Sequence, residues 1–461
     1  MVHLFKRNGY NIALDSNSGS VHDLDEVAWD ILSLVKDNFT EKEIISAITK
    51  KHTDVTTEDV KETLTEIDSL RNQGMLFSED DFQDVATKIK AKPPVIKALC
   101  LHVAHSCNLA CSYCFAGQGK YKGKAALMSF ETGKRALDFL IENSGDRHNL
   151  EVDFFGGEPL CNFEVVKKLT AYARNIEKQH NKNFRFTLTT NGMLIDDEVI
   201  DFCNKEMSNV VLSLDGRKEV NDRFRVTPAG EGSYDKIVPK FQRLVKVRGN
   251  KNYYMRGTYT GLNKDFTADI LHMADLGFTE LSMEPAVTSP DDPVGLKDED
   301  IPFLLEQYDY LGEEMDRRRK AGKPITFYHY MINLQGGPCI YKRVSGCGVG
   351  TEYMAVTPAG DLYPCHQFVG DEKFRLGNVF SGIDNPELRQ SFRQCNVYSH
   401  EECKDCFARF FCSGGCVANA FHRTGSITGV YEFGCKLHRR RIENAIMLKV
   451  SENRDKIGCR V

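Results

Sequence analysis

Cysteine is frequent in this chain, and its positions are far from even. Sixteen cysteines occur in 461 residues, three of them between positions 107 and 114 and eight between 347 and 435. The N-terminal segment carries Lys6 and Arg7 but neither the apolar stretch nor the small-residue cleavage site of a secretory signal, so we expect a cytoplasmic protein. Because disulfides are rare in that compartment, the clustered thiols indicate ligation of soft metal centres.

Charge and hydropathy exclude two classes of partner. Lys and Arg number 60 against 65 Asp and Glu, which gives a net charge of -5. Hydrophobic residues make up 41% of the chain, and the mean hydropathy is -0.39. This composition is typical of a globular protein, without the basic field that attracts nucleic acid or an uncharged apolar run of bilayer length. We therefore expect neither nucleic acid nor a membrane as a partner.

Strand and helix patterns alternate between residues 98 and 284. The predicted strands are Ala98–Ala104, Glu151–Phe155, Arg185–Thr189, Val210–Leu214, Tyr253–Tyr259 and Glu280–Glu284. The predicted helices between them are Phe130–Glu142, Phe163–Glu177, Asp196–Lys205, Tyr234–Val247 and Phe266–Leu276. This alternation predicts the α/β class, with a parallel sheet that forms either a partial (β/α)6 TIM-like barrel or an open doubly wound sheet. Both arrangements place the chemistry at the carboxyl ends of the strands.

The flanking segments predict two smaller units. Residues 1–78 combine a short strand pair, Tyr10–Leu14 and Ser20–His22, with three short helices, which indicates a winged-helix-like α+β domain. Residues 79–97 are polar and end near two prolines, so they predict a linker before a barrel domain at 98–335. In 336–461 the pattern dissolves into Gly, Cys and turn residues, which predicts a domain held together by something other than a large apolar core.

The first cysteine cluster follows the first predicted strand directly. Cys107, Cys111 and Cys114 are separated by three and then two residues, and Phe115 comes next. Zinc sites usually combine pairs of ligands into a set of four, whereas three cysteines on a [4Fe–4S] cluster leave one iron free to hold something else. The spacing therefore favours an iron–sulfur cluster over zinc.

This cysteine loop with its aromatic residue resembles the signature of the radical S-adenosylmethionine (SAM) enzymes. Gly156-Gly157-Glu158-Pro159, at the end of the second predicted strand, resembles the element with which that family grips the methionine amino group. Glycines there let the backbone approach the ligand, and Glu158 is expected to accept a hydrogen bond from the ammonium. In full, the SAM contacts that we expect are Phe115, Gly156, Gly157, Glu158, Asn191, Ser213 and Arg225.

The resemblance also implies a chemistry. In the family, the free iron chelates SAM, and an electron breaks a sulfonium C–S bond to give a 5′-deoxyadenosyl radical that abstracts hydrogen. Ser213 and Arg225 are expected to meet the ribose and the carboxylate of SAM, and Phe115 to lie near the adenine. A reductant of the flavodoxin or ferredoxin type is an implied partner.

Seven of the eight cysteines from 347 to 435, all but Cys395, resemble the SPASM domain of peptide-modifying radical SAM enzymes. The resemblance implies two more [4Fe–4S] clusters, three in all. One would be bound by Cys403, Cys406, Cys412 and Cys435, the other by Cys347, Cys365 and Cys416. Cys339 would either complete the second set or leave one iron open to a substrate thiolate. For the remaining cysteines we expect structural thiols: Cys100, Cys161, Cys203, Cys395 and Cys459.

Two further resemblances concern the substrate. The stretch from Tyr10 to Leu24 resembles a RiPP recognition element, which captures the leader of a ribosomally made peptide as an added strand. A winged helix can bind DNA instead, but the third predicted helix, Glu58–Asn72, has no basic stripe. Sulfatase-maturing relatives place an aspartate after the second SPASM cysteine, whereas here His366 follows Cys365.

The chain thus more nearly resembles the maturase of six-cysteine peptides, a thioether-forming enzyme of the sactipeptide or ranthipeptide type. We expect it to join cysteine sulfur to a carbon of an acceptor residue in a cysteine-rich precursor peptide, with the leader bound at residues 1–78. His366 is expected to donate a hydrogen bond or hold a proton beside the cluster. The alternatives are another SPASM peptide oxidase or carbon–carbon cross-linker, and a non-catalytic protein with zinc on Cys403, Cys406, Cys412 and Cys416.

Overall fold

The computed structural model describes residues 1–91, 94–288, 292–334 and 340–458. The strands in these ranges are β1 (Val2–Arg7), β2 (Tyr10–Asp15), β3 (Val21–Leu24), β4 (Ala98–His105), β5 (Ala126–Leu127), β6 (Asn149–Gly156), β7 (Asn183–Thr190), β8 (Met207–Ser213), β9 (Tyr253–Tyr259), β10 (Glu280–Pro285), β11 (Thr326–Phe327), β12 (Tyr353–Val356), β13 (Asp361–Tyr363), β14 (Gly377–Asn378) and β15 (Gly382–Ile383). The α-helices are α1 (Glu26–Lys36), α2 (Glu41–Lys51), α3 (Thr57–Asn72), α4 (Phe82–Ala91), α5 (Phe130–Glu142), α6 (Phe163–Ile176), α7 (Asp197–Glu206), α8 (Lys218–Phe224), α9 (Tyr234–Arg248), α10 (Phe266–Asp275), α11 (Ile301–Lys320), α12 (Ile340–Ser345), α13 (Pro386–Gln394), α14 (Arg409–Cys412), α15 (Val417–Thr424) and α16 (Glu432–Gly458).

The central sheet is a partial barrel of parallel strands. Its strands lie in the order β4, β6, β7, β8, β9, β10, β11, so each new strand adds on the same side of the one before. A doubly wound sheet would reverse this order at a switch point. Within the described residues β4 and β11 do not pair, so the barrel stays open. The predicted α/β class is confirmed, and the sheet is the partial TIM-like barrel.

Alternating burial along the strands gives the sheet its two faces. In β6, Leu150, Val152 and Phe154 are buried, whereas the alternate residues Asp153 and Phe155 are only half-buried. The buried set packs with the outer helices in one apolar core, and the other set faces the barrel interior. All six predicted strands are present within three residues of their expected ends. The short seventh strand β11 was not predicted, because two residues carry no periodicity.

The C-terminal region extends the same sheet. Strand β12 pairs in parallel with β4, and β13, β14 and β15 follow as short antiparallel strands. The 27-residue helix α16 then packs along α11. The predicted boundary at 335/336, Cys339 and Cys459 lie outside the described residues. No helix among the described residues has the length and apolar character needed to cross a bilayer.

The N-terminal region is a three-stranded antiparallel sheet, β1-β2-β3, covered by α1, α2 and α3. The sequence predicted β2, β3 and the three helices but not β1. Asn8 and Gly9 join β1 to β2 with φ angles of 45° and 76°, which is the left-handed backbone of a two-residue hairpin turn.

A helix stands where residues 79–97 predicted a linker. In α4 the ring of Phe82 meets Phe410 edge-on at a centroid distance of 5.2 Å, and Ala86 is buried beside Val344 and Val397. The polar composition of α4 concealed one narrow apolar face, and that face packs on the C-terminal region. Lys92 and Pro93, which helped to suggest the linker, lie outside the described residues.

Candidate functional site

The predicted site residues of the barrel line a single cavity at the carboxyl ends of its strands. This barrel cavity has a volume of about 230 Å³. Its lining includes the three clustered thiols and every expected SAM contact, namely Cys107, Cys111, Cys114, Phe115, Gly156, Gly157, Glu158, Asn191, Ser213 and Arg225. These residues lie at or after the ends of β4, β6, β7 and β8, so four strand ends meet where the fold predicts chemistry.

The three thiols lie on a loop that other strand ends hold in place. The backbone N–H of Leu109 donates to Cys107 Sγ at 3.4 Å, and Asn191 Nδ2 lies 3.6 Å from the same sulfur. Burial raises the pKa of Cys107 to about 11 and that of Cys111 to about 12. Because thiolates are the metal-binding form, these thiols release protons when a cluster binds.

The Gly156-Gly157 pair is required by close packing between two loops. A Cβ atom on Gly156 would collide with the carbonyl oxygen of Ala104, and one on Gly157 with that of Ser106. A Cβ on Gly157 would also come within 2.9 Å of Gly119 Cα. The glycines thus let the end of β6 pack against the cysteine loop, and they also leave room for a ligand.

Glu158 is buried and already has three hydrogen-bond donors from the chain. Its carboxylate accepts from Thr190 Oγ1 at 2.8 Å, from the Asn191 N–H at 2.7 Å and from the Leu160 N–H at 3.1 Å. Burial raises the pKa of Glu158 to about 7. The sequence predicted an ammonium acceptor, whereas the structure shows a residue that ties the end of β6 to the end of β7.

Arg225 is held by a residue that the sequence did not single out. Its Nε lies 3.0 Å from Oδ2 of the fully buried Asp215. Asp215 also accepts from Tyr113 Oη at 2.6 Å and from the Thr258 N–H at 2.9 Å. Since Tyr113 belongs to the cysteine loop, Asp215 fixes that loop and the predicted carboxylate-binding arginine together.

Charged side chains from β9 and β10 form the floor of the barrel cavity. Arg256 and Glu284 line it, and His329 Nε2 lies 3.4 Å from Glu284 Oε1. Burial favours a higher pKa for Glu284, but the nearby positive groups, led by His329 and Arg441, hold it below its usual value. In a sequence, a lone carboxylate at a strand end looks like a turn residue. Only the rule that functional residues lie at the carboxyl ends of parallel strands indicated Glu284.

His366 also lines this cavity, with its ring centroid 5.5 Å from that of Phe115 and 5.1 Å from that of Phe155. Burial, assisted by Arg256, lowers the pKa of His366 to about 3. The imidazole is therefore neutral near pH 7 and suits hydrogen bonding rather than proton abstraction.

A second cavity, of about 280 Å³, collects the four-cysteine set. This C-terminal cavity is lined by Cys403, Cys406, Cys412 and Cys435 together with Arg409 and Arg439. Burial raises the pKa of Cys412 and Cys435 to about 12. Glu284, Pro285 and Asn419 line both cavities, so the two adjoin.

The third set, hereafter the cysteine trio, consists of Cys347, Cys365 and Cys416. Burial raises the pKa of Cys365, and the neighbouring Cys416 and Cys347 raise it further, so the three thiols lie near one another. Cys395 shares a small cavity with Cys347, and its thiol donates to the Ile427 carbonyl at 3.5 Å. Cys100 and Cys203 are buried, and Cys161 is partly buried.

The donor sets fit iron–sulfur clusters. In 1–91, 94–288, 292–334 and 340–458, no three His, Cys, Asp or Glu side chains are arranged around one metal ion. The thiolates of a cubane cluster each bind a different iron and so surround a larger group. Three sulfurs beside a glycine-lined cavity with an ion-paired arginine also fit a cluster that holds a small zwitterionic ligand.

Family models agree with these sites. A model of the Radical SAM superfamily matches residues 101–277. A model of the SPASM iron-sulfur cluster-binding domain matches residues 347–407. The chain contains a radical SAM domain and a SPASM domain. SAM and [4Fe–4S] clusters are therefore its implied cofactors, and the last three predicted ligands, Cys412, Cys416 and Cys435, lie beyond the SPASM match.

Two relatives of named activity match most of the chain. A cysteine-type anaerobic sulfatase-maturating enzyme of Clostridium perfringens is 25% identical over 349 residues, 70% of this chain and 89% of that protein. The radical SAM cyclopropyl synthase TigE of Paramaledivibacter caminithermalis is 22% identical over 372 residues, 76% of this chain and 74% of that protein.

Solved structures share the fold. A structure of anSMEcpe with bound AdoMet and the Cp18Cys peptide has a TM-score of 0.64 at 23% identity, covering 78% of this chain and 99% of that one. Streptococcus suis SuiB bound to its precursor peptide SuiA has a TM-score of 0.53 at 17% identity. The SuiB similarity covers 93% of this chain and 97% of that one.

Proposed function

We propose that this enzyme forms thioether bonds in a ribosomally made, cysteine-rich precursor peptide, using SAM and three [4Fe–4S] clusters. The position of Cys365 carries the proposal. This residue belongs to the cysteine trio, and the next residue, His366, lines the barrel cavity. A cluster on the trio has three protein thiolates, which leaves one iron for a substrate cysteine. That cysteine would then stand beside the place where SAM binds.

Different residues of the barrel cavity have different roles. When bound, SAM and its cluster supply a 5′-deoxyadenosyl radical that removes hydrogen from a substrate carbon. Glu158 fixes the backbone of Asn191, and Asp215 orients Arg225 toward a carboxylate. Arg256 and Glu284 offer a donor and an acceptor on the cavity floor for the peptide backbone. Joining C–H to S–H as a C–S bond removes two hydrogens in total: the radical takes one as a hydrogen atom, and the other leaves as the thiol proton and an electron that an auxiliary cluster would accept.

The N-terminal domain supplies a place for the leader. Strand β3 pairs with β2 on one side and, in the described part of the chain, with no strand on the other. Strand β1, the opposite edge, lies against α16, where Arg7 and His3 pair with Glu443. An extended peptide can therefore add to the sheet at β3. Peptides bound to anSMEcpe and SuiB support a peptide substrate.

The test uses a cysteine-rich precursor peptide, which we expect to be encoded beside the gene. Enzyme reconstituted without oxygen, with SAM and a flavodoxin, ferredoxin or chemical reductant, should convert it to a product two hydrogens lighter per link. Each link should also remove one thiol from alkylation by iodoacetamide. A product with the mass loss in which every thiol still reacts would contradict thioether formation.

A second candidate is peptide oxidation or carbon–carbon cross-linking. It is favoured by Glu284, a carboxylate on the cavity floor that can accept a proton although no aspartate follows Cys365. Alkylation separates thioether formation from carbon–carbon cross-linking, which leaves every thiol reactive. Oxidation of a cysteine to an aldehyde also removes a thiol, but it exchanges sulfur for oxygen, so the product mass identifies it. Iron analysis tests the cofactor proposal independently: three clusters predict about twelve iron atoms per chain.

A further inference from the structure

The N-terminal domain packs on the loop that carries Cys403, Cys406 and Cys412, three of the four thiols assigned to one cluster. Phe407 and Ala408, between Cys406 and Cys412, pack in one apolar cluster with Phe5, Ile12 and Leu14 of β1 and β2. The ring of His3 stacks on Phe407 at a centroid distance of 3.6 Å. The same cluster includes buried residues of α16, the helix that carries the fourth thiol. The N-terminal domain therefore packs against both segments that carry this cysteine set.

Arg409 is the polar centre of this contact. It is 7% exposed and lines the C-terminal cavity. Its Nη2 donates to Asn17 Oδ1, on the turn after β2, at 2.7 Å, and lies 3.0 Å from Asp80 Oδ2. Its Nη1 donates to the Lys404 carbonyl at 2.7 Å. Two partners from the N-terminal region thus hold a guanidinium against the cysteine loop.

Asp80 braces the loop at a second point, because it also accepts from Tyr398 Oη at 2.9 Å. Arg409 and the thiols of Cys403, Cys406 and Cys412 line the same cavity, so its charge lies close to them. A positive charge in a buried, weakly screened position stabilises an electron added nearby, and the charge around an iron–sulfur cluster is one determinant of its potential.

We propose that Arg409 is a positioning residue that raises the reduction potential of the four-cysteine cluster, and that Asn17 of the N-terminal domain holds it in place. The inference rests on the proposed function for the cluster itself. Asp80 offsets part of the charge of Arg409, so its removal acts in the opposite direction. Because that cluster would accept the surplus electron of bond formation, the domain that binds the leader is also part of the electron acceptor.

The experiment is a redox titration of full-length protein, reconstituted without oxygen and followed by electron paramagnetic resonance. Replacement of Cys107, Cys111 and Cys114 by alanine removes the SAM cluster, and the further Cys406→Ala variant identifies the signal of the four-cysteine cluster. In the first background, Arg409→Gln should shift the midpoint to more negative potential, and Arg409→Lys should shift it less. Asp80→Asn should shift it to more positive potential.

Two controls make the result specific. Arg135→Gln removes an ion-paired arginine of the outer helix α5 and should leave the midpoint unchanged. Asn17→Ala changes no charge and should give a smaller negative shift than Arg409→Gln. If Arg409→Gln does not retain the cluster, Arg409→Lys and Asp80→Asn decide. Unchanged midpoints, or shifts of one sign in Arg409 and Asp80 variants, overturn the role of Arg409, and an unchanged Asn17→Ala midpoint overturns that of the N-terminal domain.

Failure of the underlying assignment gives a different result. If Cys406→Ala binds as much iron as its parent, no cluster stands on these four cysteines. If the iron is lost in Cys406→Ala but the charge variants keep the parent midpoint, the cluster exists and the inference about Arg409 fails.

Discussion

The buried pair of Asp215 and Arg225 makes a prediction whose size follows from the geometry. Asp215→Asn keeps the shape of the side chain but removes the charge that faces Arg225 Nε at 3.0 Å. Arg225 is 9% exposed, so the variant leaves a buried guanidinium without its counter-charge. Breaking a buried pair in this way costs about 3–5 kcal/mol. Tyr113→Phe, the matched control, leaves the pair intact and deletes one hydrogen bond to a charged group, about 1.5–3 kcal/mol.

The assay is thermal unfolding of the reconstituted protein without oxygen, at one scan rate. At about 2–4 °C per kcal/mol for a domain of this size, Asp215→Asn should lower the midpoint by roughly 6–20 °C, and Tyr113→Phe by less. Arg225 should also lose its orientation, so we expect weaker SAM binding in Asp215→Asn by calorimetry. A midpoint for Asp215→Asn equal to or above that of Tyr113→Phe would refute the reasoning.

Four other outcomes test the site. Cys111→Ala should lower the iron content by about four atoms per chain and abolish SAM cleavage, whereas Cys203→Ala, at a buried thiol outside the three sets, should change neither. Gly157→Ala should destabilise the protein by about 1–3 kcal/mol in chemical unfolding, because its Cβ meets backbone atoms of Ser106 and Gly119; Gly123→Ala, with space for a Cβ, should not. Burial raises the pKa of Glu158 from 4.5 to about 7, so the folded protein keeps a proton that the unfolded chain releases, and stability falls as pH rises through this window. The side chain in Glu158→Gln cannot ionise. The unfolding free energy of this variant minus that of the wild type should therefore rise by about 3 kcal/mol between pH 4 and pH 8 in SAM-free protein, at 1.36 kcal/mol per pKa unit; a difference independent of pH would contradict this. Finally, Glu284→Gln should increase the 5′-deoxyadenosine formed per modified peptide without weakening SAM binding, while Glu280→Gln, at the other end of β10, should leave this ratio unchanged.

The barrel could be predicted because its strands carry strong local signals. Strand β9 has the predicted bounds, Tyr253–Tyr259, and α5 has the predicted bounds, Phe130–Glu142. Strand β1 and helix α4 were missed for different reasons. The side chains of β1 make many of their contacts with α16 and the Phe407 loop, more than 400 residues away in sequence. Helix α4 is polar except for the face that meets Phe410. Sequence periodicity reveals neither the contacts of β1 with distant residues nor the packing of α4 on Phe410.

The same limit applies to the site. Cysteine spacing and the Gly-Gly-Glu-Pro element predicted which residues line the barrel cavity, because each motif is contiguous in the chain. Arg225 was predicted and Asp215 was not, because their pairing depends on a helix that brings residue 225 back over the end of β8. Glu158 was predicted to accept a hydrogen bond from the SAM ammonium because Gly156-Gly157-Glu158-Pro159 resembles the family's SAM-binding element. Its burial, with three donors, depends on how β7 ends beside β6. From sequence alone, a carboxylate that fixes the backbone beneath a ligand looks the same as one that contacts the ligand, because the difference depends on the neighbouring strand. The difference determines whether a Glu158 variant loses SAM affinity or protein stability first.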